Sequence, residues 1–119
     1  MRQEIISEHR VDDKDLPAGG TTTGIGIAIE WQAGPIPNPE RLKGPMTSLA
    51  EDVGANGAFV EGLIEAVISR MNWYNEVSDG KFRCRENAIV ITKLDEALHW
   101  CDARAVARAK RGVLGTHQE

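Results

Sequence analysis

Four cations lie within the eight residues from Arg104 to Arg111, and no acidic residue lies among them. Arg104, Arg108 and Arg111 are four and three residues apart, so on a helix they share one face. Cations in a last turn complement the helix dipole, which accounts for Lys110 and Arg111 but poorly for Arg104. The cluster therefore favours a binding site for an anion, with a helix-dipole role as the alternative.

A second anion-binding feature is predicted at Asn56 and Gly57. Asn56 is a good N-cap type for the periodic segment that follows it, and the first N–H groups of a helix are free to bind an anion. A turn near residue 80 would bring residue 57 opposite residue 103 in an antiparallel hairpin. We therefore expect Asn56 and Gly57 to form one site with Arg104 and Arg108.

A third candidate opens the second helical segment, at Phe82, Arg83, Arg85 and Asn87. The helix dipole disfavours cations at this end, so the arginines either meet a ligand or form ion pairs. Acidic residues are close in sequence: Glu76, Asp79 and Glu86. Phe82 could stack on a base whose edge Asn87 contacts, or it could simply cap the hairpin. Both interpretations stay open.

No catalytic set or metal site is predicted. No serine or cysteine lies in a motif for an activated nucleophile, and His99 and Cys101 point to different helical faces. We therefore expect no enzyme activity, no metal and no cofactor. The net charge of −4 argues against DNA or RNA as partners. No apolar run is long enough for a membrane span, and two cysteines without a bridging geometry indicate a reducing cytosolic compartment.

The elements that position these residues predict an α+β fold: a small N-terminal antiparallel β-sheet followed by a long antiparallel two-helix hairpin. Residues 23–32 alternate Ile25, Ile27, Ile29 and Trp31 with small residues, which is typical of one half-buried strand. Residues 17–20 indicate a loop. We expect a single domain over 1–119, divided into a β part (1–36), a loop (37–55), a helical hairpin (56–112) and a tail (113–119).

The two helices are predicted from apolar residues that recur at three- and four-residue steps. Residues 78–80 end the first helix, and the second runs to about Arg111, where Gly112 stops it. Trp73, Tyr74 and Trp100 are too many large aromatics for a small chain to leave exposed. They predict a homo-oligomer.

Four segments resemble the phage Thoeris anti-defence sponge family: NGAFV (56–60), CRENA (84–88), TKLDEALHW (92–100) and RAKRGVLGTH (108–117). The hairpin is also similar to that of the phage anti-CBASS cyclic-nucleotide sponges. The resemblance covers about residues 24–117.

The resemblance implies a non-catalytic sponge that sequesters cyclic ADP-ribose-type immune signals in the host cell cytoplasm. It also implies cyclic di- or trinucleotide ligands in some members, and a homodimer or homohexamer. It supports Phe82, Asn87 and the arginines as ligand contacts, and it adds Gly115, Thr116 and His117 as a second site. The rival interpretations are an enzyme that cleaves such a signal and an interaction module that binds an acidic protein partner.

Overall fold

The computed structural model describes residues 4–37 and 55–111. Its elements are β1 (Ile6–Val11), β2 (Pro17–Gly24), β3 (Ile27–Trp31), α1 (Val60–Gly80) and α2 (Arg85–Lys110). The chain divides into two compact units, with the boundary between Phe59 and Val60. The strands belong to the first unit, the sheet unit, and the helices to the second, the helical unit. The predicted α+β fold is confirmed, whereas the single domain stays a prediction.

The sheet is antiparallel throughout, in the order β1-β2-β3. A tight turn at Ile25 and Gly26 joins β2 to β3, and Gly24 pairs with Ile27. Gly26 has a φ of 74°, a conformation that glycine adopts without steric cost. The prediction of one continuous strand over 23–32 is therefore wrong. Because the turn has two residues, the alternation of apolar and small residues continues unbroken from β2 into β3. The periodicity of the sequence therefore does not reveal the turn.

β2 begins at Pro17, so the prediction of a loop over 17–20 is also wrong. Proline is tolerated as the first residue of a strand because the missing donor lies at its end. Gly20 has a φ of 140° and pairs with His9 of β1, where a Cβ atom would collide with the backbone of Glu8. Glycine at this position therefore allows β1 and β2 to approach each other closely.

The interior of the sheet unit is small and partly polar. Among residues 4–37 and 55–111, only Gly20 and Thr22 are buried. Trp31 Nε1 donates a 2.8 Å hydrogen bond to Thr22 Oγ1, and the Ser7 hydroxyl lies 2.9 Å from the same oxygen. These three side chains link all three strands.

Residues 56–58 extend the sheet unit, and α1 begins only at Val60. Ala58 forms a parallel bridge with Trp31: its N–H donates to Glu30 O over 2.7 Å, and its carbonyl accepts from Gln32 N over 2.9 Å. Asn56 Oδ1 accepts from Ala33 N over 2.9 Å. The prediction that Asn56 caps the first helix is therefore wrong, because this side chain binds the end of β3.

The connection between the helices agrees with the sequence. Val77 is extended (ψ 148°), and Ser78, Asp79 and Gly80 all have positive φ values, so the predicted turn at 78–80 is confirmed. α2 follows Cys84, whose Sγ accepts from Asn87 N over 3.4 Å, and it ends at Lys110 with Arg111 as its C-cap. The predicted end near Arg111 is confirmed, while Gly112 lies outside the described residues. Over the two described ranges, neither helix is apolar enough over a sufficient length to cross a bilayer.

Candidate functional site

The segment that joins α1 to α2 concentrates positive charge around an exposed aromatic ring. We call residues 81–87 the hairpin turn site. Lys81, Arg83 and Arg85 alternate with Phe82 and Cys84 along it. Phe82 is 54% exposed, and Lys81 Nζ lies 5.7 Å from the centroid of its ring. An exposed aromatic face beside several cations is a surface on which a base and a phosphate can both be bound.

The two arginines of the hairpin turn site have no acidic partner in the part of the chain that the structure describes. Among the residues that the structure describes, neither Arg83 nor Arg85 forms an ion pair. The alternative interpretation, in which they pair with Glu76, Asp79 or Glu86, therefore finds no support in this part of the chain. Arg85 is the first residue of α2, where the helix dipole repels a cation. An anion bound here would relieve that repulsion.

Asn87 is held in place by three contacts. Its Nδ2 donates to the carbonyl oxygen of Phe82 and to Asn75 Oδ1, each over 3.1 Å, and its backbone N–H donates to Cys84 Sγ. The structure thus places the amide of Asn87 against the backbone of Phe82, while their roles towards a ligand stay a prediction. The ring of Phe82 stays exposed, while the backbone carbonyl of Phe82 accepts a hydrogen bond from the side-chain amide of Asn87.

Asn75 belongs to this arrangement, although no motif in the sequence singles it out. Asn75 and Asn87 are equally distant from Lys81 in sequence, so an antiparallel hairpin that turns near residue 80 places them opposite each other. This symmetry about Lys81 is present in the sequence, but neither asparagine taken alone indicates the pairing.

At Asn56 and Gly57, the other predicted phosphate site, the backbone N–H groups already have hydrogen-bond acceptors within the protein. Asn56 N and Gly57 N both donate to Gln32 Oε1, over 2.9 and 3.2 Å. These groups are therefore neither free nor at a helix start, and the reason for predicting an anion there is wrong. Asn56 and Gly57 belong to the sheet unit, whereas Arg104 and Arg108 belong to the helical unit.

Arg104 and Arg108 lie on the last turns of α2, as predicted. Arg104 is exposed and Arg108 is half-buried. The predicted tail site, formed by Gly115, Thr116 and His117, lies outside the described residues. Its role in a second site stays a prediction.

A groove of about 610 Å³ runs along the helical unit. Three carboxylates line it, those of Glu65, Glu76 and Asp95, together with Trp73 and the aliphatic side chains of Ile68 and Leu98. Its negative charge is unsuited to phosphate groups. Within the helical unit, the hairpin turn site has the better chemistry for an anionic ligand.

Comparison with known proteins gives two findings. A family model described as the Acb2/Tad1 hairpin domain matches residues 24–106, which include β3, all of α1 and most of α2. The chain is also 42% identical over 107 residues to Thoeris anti-defense 1 of Bacillus phage SBSphiJ7. That alignment covers 90% of this chain and 70% of the phage protein.

Proposed function

Because this chain belongs to the Acb2/Tad1 hairpin-domain family, we propose that it is a phage anti-defence sponge. It acts inside an infected bacterium, in the host cell cytoplasm, by binding a cyclic nucleotide immune signal and holding it without chemical change. The name of its phage relative, Thoeris anti-defense 1, supports the anti-defence role.

The observation that carries this proposal is the hairpin turn site. Phe82 has an exposed ring, and two arginines follow it that form no ion pair within residues 4–37 and 55–111. The amide of Asn87 is held by a hydrogen bond to the backbone carbonyl of Phe82. Phosphate oxygens take charge-assisted bonds from Arg83 and Arg85. Phe82 stacks on the base and Asn87 contacts its edge. A ligand that carries phosphate and a base in one small ring satisfies all of these groups.

The ligand class follows from this combination together with the family. Cyclic ADP-ribose isomers are the leading candidates, and cyclic di- or trinucleotides are further ones. We assign Arg104 and Arg108 to phosphate binding as well, and the tail residues Gly115, Thr116 and His117 to a second site. Asn56 and Gly57 are left out, since their N–H groups are bonded to Gln32.

The functional unit in this proposal is a homo-oligomer, a dimer or a hexamer. Trp100 is 72% exposed and Trp73 is 45% exposed in the single chain, and Tyr74 lies next to Trp73 with ring centroids 5.4 Å apart. Such large aromatic surfaces are typical of protein–protein interfaces. A second copy of the chain would remove them from water.

The test is capture and release. The purified protein is incubated with a panel of cyclic ADP-ribose isomers and cyclic oligonucleotides, separated from unbound ligand and heat-denatured, and the released compounds are identified by mass spectrometry. A sponge releases an intact ligand in a fixed ratio to protein. A linear or hydrolysed product that accumulates with time would instead indicate an enzyme. Binding of acidic peptides without binding of any nucleotide would indicate a protein-interaction module.

A further inference from the structure

We propose that Asn75 is a positioning residue: it fixes the amide of Asn87 so that the hairpin turn site offers a hydrogen-bond acceptor, Asn87 Oδ1, to the base of its ligand. This inference rests on the proposed function and narrows its ligand to bases that carry an amino group at the contacted edge.

The orientation of the Asn87 amide follows from its partners. The carbonyl oxygen of Phe82 can only accept a hydrogen bond, so the side-chain atom 3.1 Å from it must be the nitrogen. That nitrogen carries two protons, and the second is directed to Asn75 Oδ1 over 3.1 Å. Both donor positions of the amide are therefore occupied within the protein.

The oxygen of the same amide has different surroundings. Within residues 4–37 and 55–111, Asn87 Oδ1 accepts no hydrogen bond. Since the side chain is half-buried rather than fully solvated, an acceptor without a partner here favours a ligand that can donate to it. The free hydrogen-bonding capacity of Asn87 is that of an acceptor.

Asn75 adds a second bond that holds the amide in this orientation. A single bond from Phe82 O would hold one proton of Nδ2, and rotation of the amide would exchange nitrogen for oxygen at the cost of that one bond. The second bond, across the hairpin from α1, is lost on rotation as well while the amide of Asn75 keeps its oxygen towards Asn87. It also ties the amide to the last regular part of α1, just before Val77 leaves the helix.

The chemical consequence is a preference between bases. Adenine presents an exocyclic amino group, which donates to Asn87 Oδ1. Hypoxanthine presents a carbonyl oxygen at the same position, and two acceptors would then face each other without a proton between them. Discrimination of this kind is strong because the mismatched polar groups stay unsatisfied.

Calorimetry with two ligands tests the inference: a cyclic ADP-ribose isomer with a free adenine amino group, and the same isomer deaminated to hypoxanthine. The wild-type protein is expected to bind the adenine form about tenfold more tightly or better. Asn75→Leu should lose most of this ratio, and Asn75→Asp should retain it because its carboxylate still accepts from Asn87 Nδ2. Asn72→Leu, one turn earlier on the exposed part of α1, is the matched control and should retain the ratio as well.

A structural role for Asn75 would give another pattern. If Asn75→Leu weakens both ligands by the same factor, or if the wild type binds both ligands equally, the positioning inference is overturned while the sponge proposal stands. If the wild type binds neither ligand nor any other cyclic nucleotide, both fall together. Nuclear magnetic resonance of the ligand-free protein gives an independent readout: one side-chain amide proton of Asn87 should exchange faster with water in Asn75→Leu but not in Asn72→Leu, and unchanged exchange would also overturn the inference.

Discussion

Trp31 and Thr22 are joined by a hydrogen bond of 2.8 Å from the indole Nε1 to the threonine hydroxyl oxygen, across the β2–β3 pair. Thr22 is only 7% exposed, and its oxygen also contacts the hydroxyl of Ser7 on β1. A polar side chain thus occupies the middle of the sheet, where an aliphatic one would be usual. The hydroxyl satisfies the indole donor, which would otherwise be partly buried without a partner.

Thr22→Val is therefore expected to destabilise the protein although it keeps the shape of the side chain. The valine leaves the Trp31 donor without its acceptor and the Ser7 hydroxyl without its hydrogen-bond partner, which costs about 1 to 3 kcal/mol of unfolding free energy. Urea denaturation followed by tryptophan fluorescence measures this. Thr23→Val, at the next and exposed position of β2, is the control and should change stability little. Equal stability of the two variants would show that the Thr22 bonds contribute nothing.

Gly57→Ala and Gly62→Ala are expected to change stability in opposite directions. A Cβ atom at Gly57 would lie 2.5 Å from Trp31 O and 2.6 Å from Gln32 N, so the bridge to β3 must open, at about 1 to 3 kcal/mol. A Cβ atom at Gly62 meets nothing within 4 Å, and alanine there should stabilise α1 by about 0.5 to 1 kcal/mol. Thermal unfolding of both variants checks the signs. A stabilised Gly57→Ala would contradict the pairing of residues 56–58 with β3.

Arg83→Ala and Arg85→Ala are expected to weaken ligand binding about tenfold each, since a charge-assisted bond to phosphate contributes about 1.5 to 3 kcal/mol. A higher salt concentration should weaken ligand binding by the wild type more than ligand binding by either variant. Lys93→Ala is the matched control: it removes a cation from α2, the helix that begins at Arg85, but one that already pairs with Glu96 over 3.6 Å. Titration calorimetry at two salt concentrations gives both results. An effect of Lys93→Ala as large as those of the arginine variants would mean that only the overall charge matters.

Trp100→Glu is expected to reduce self-association. Light scattering of the wild type should give a multiple of the 13.0 kDa chain mass at micromolar concentration. A carboxylate at position 100 in a buried interface would be desolvated without a partner, so the mass should fall towards that of one chain. Thr92→Glu adds the same charge at another exposed position of α2 and should leave the mass unchanged. A wild-type mass of one chain would refute the oligomer directly.

The helical half was the more predictable part of this fold. Its apolar period and the Ser78-Asp79-Gly80 turn are local signals, and the structure has the turn and the second helix where these signals place them. The first helix is present too, but it begins at Val60 and not directly after Asn56. Phe82 and Asn87 lie within one short segment, so the sequence predicts them in one candidate site, but it does not predict the bond from the Asn87 amide to the Phe82 carbonyl.

The sheet half was harder because its decisive contacts are distant in sequence. Asn56 has the ideal residue type for a helix N-cap, but its side chain accepts a hydrogen bond from Ala33 N and its N–H donates to Gln32 Oε1. Both partners lie more than 20 positions away in sequence. Likewise, Pro17 and Gly20 have loop propensities that the pairing of β2 with strands on both sides overrides. Local propensity cannot anticipate a partner that arrives from elsewhere in the chain.

The pairing of Trp31 with Ala58 also has a consequence for how this chain tolerates changes in length. It closes a stretch of chain whose two ends are fixed by the bonds of Gln32 and Asn56. The entropy lost by the unfolded chain in closing such a stretch grows only with the logarithm of its length, so doubling it costs about 0.6 kcal/mol. An insertion between these two residues is therefore expected to leave the bridge between Trp31 and Ala58 in place.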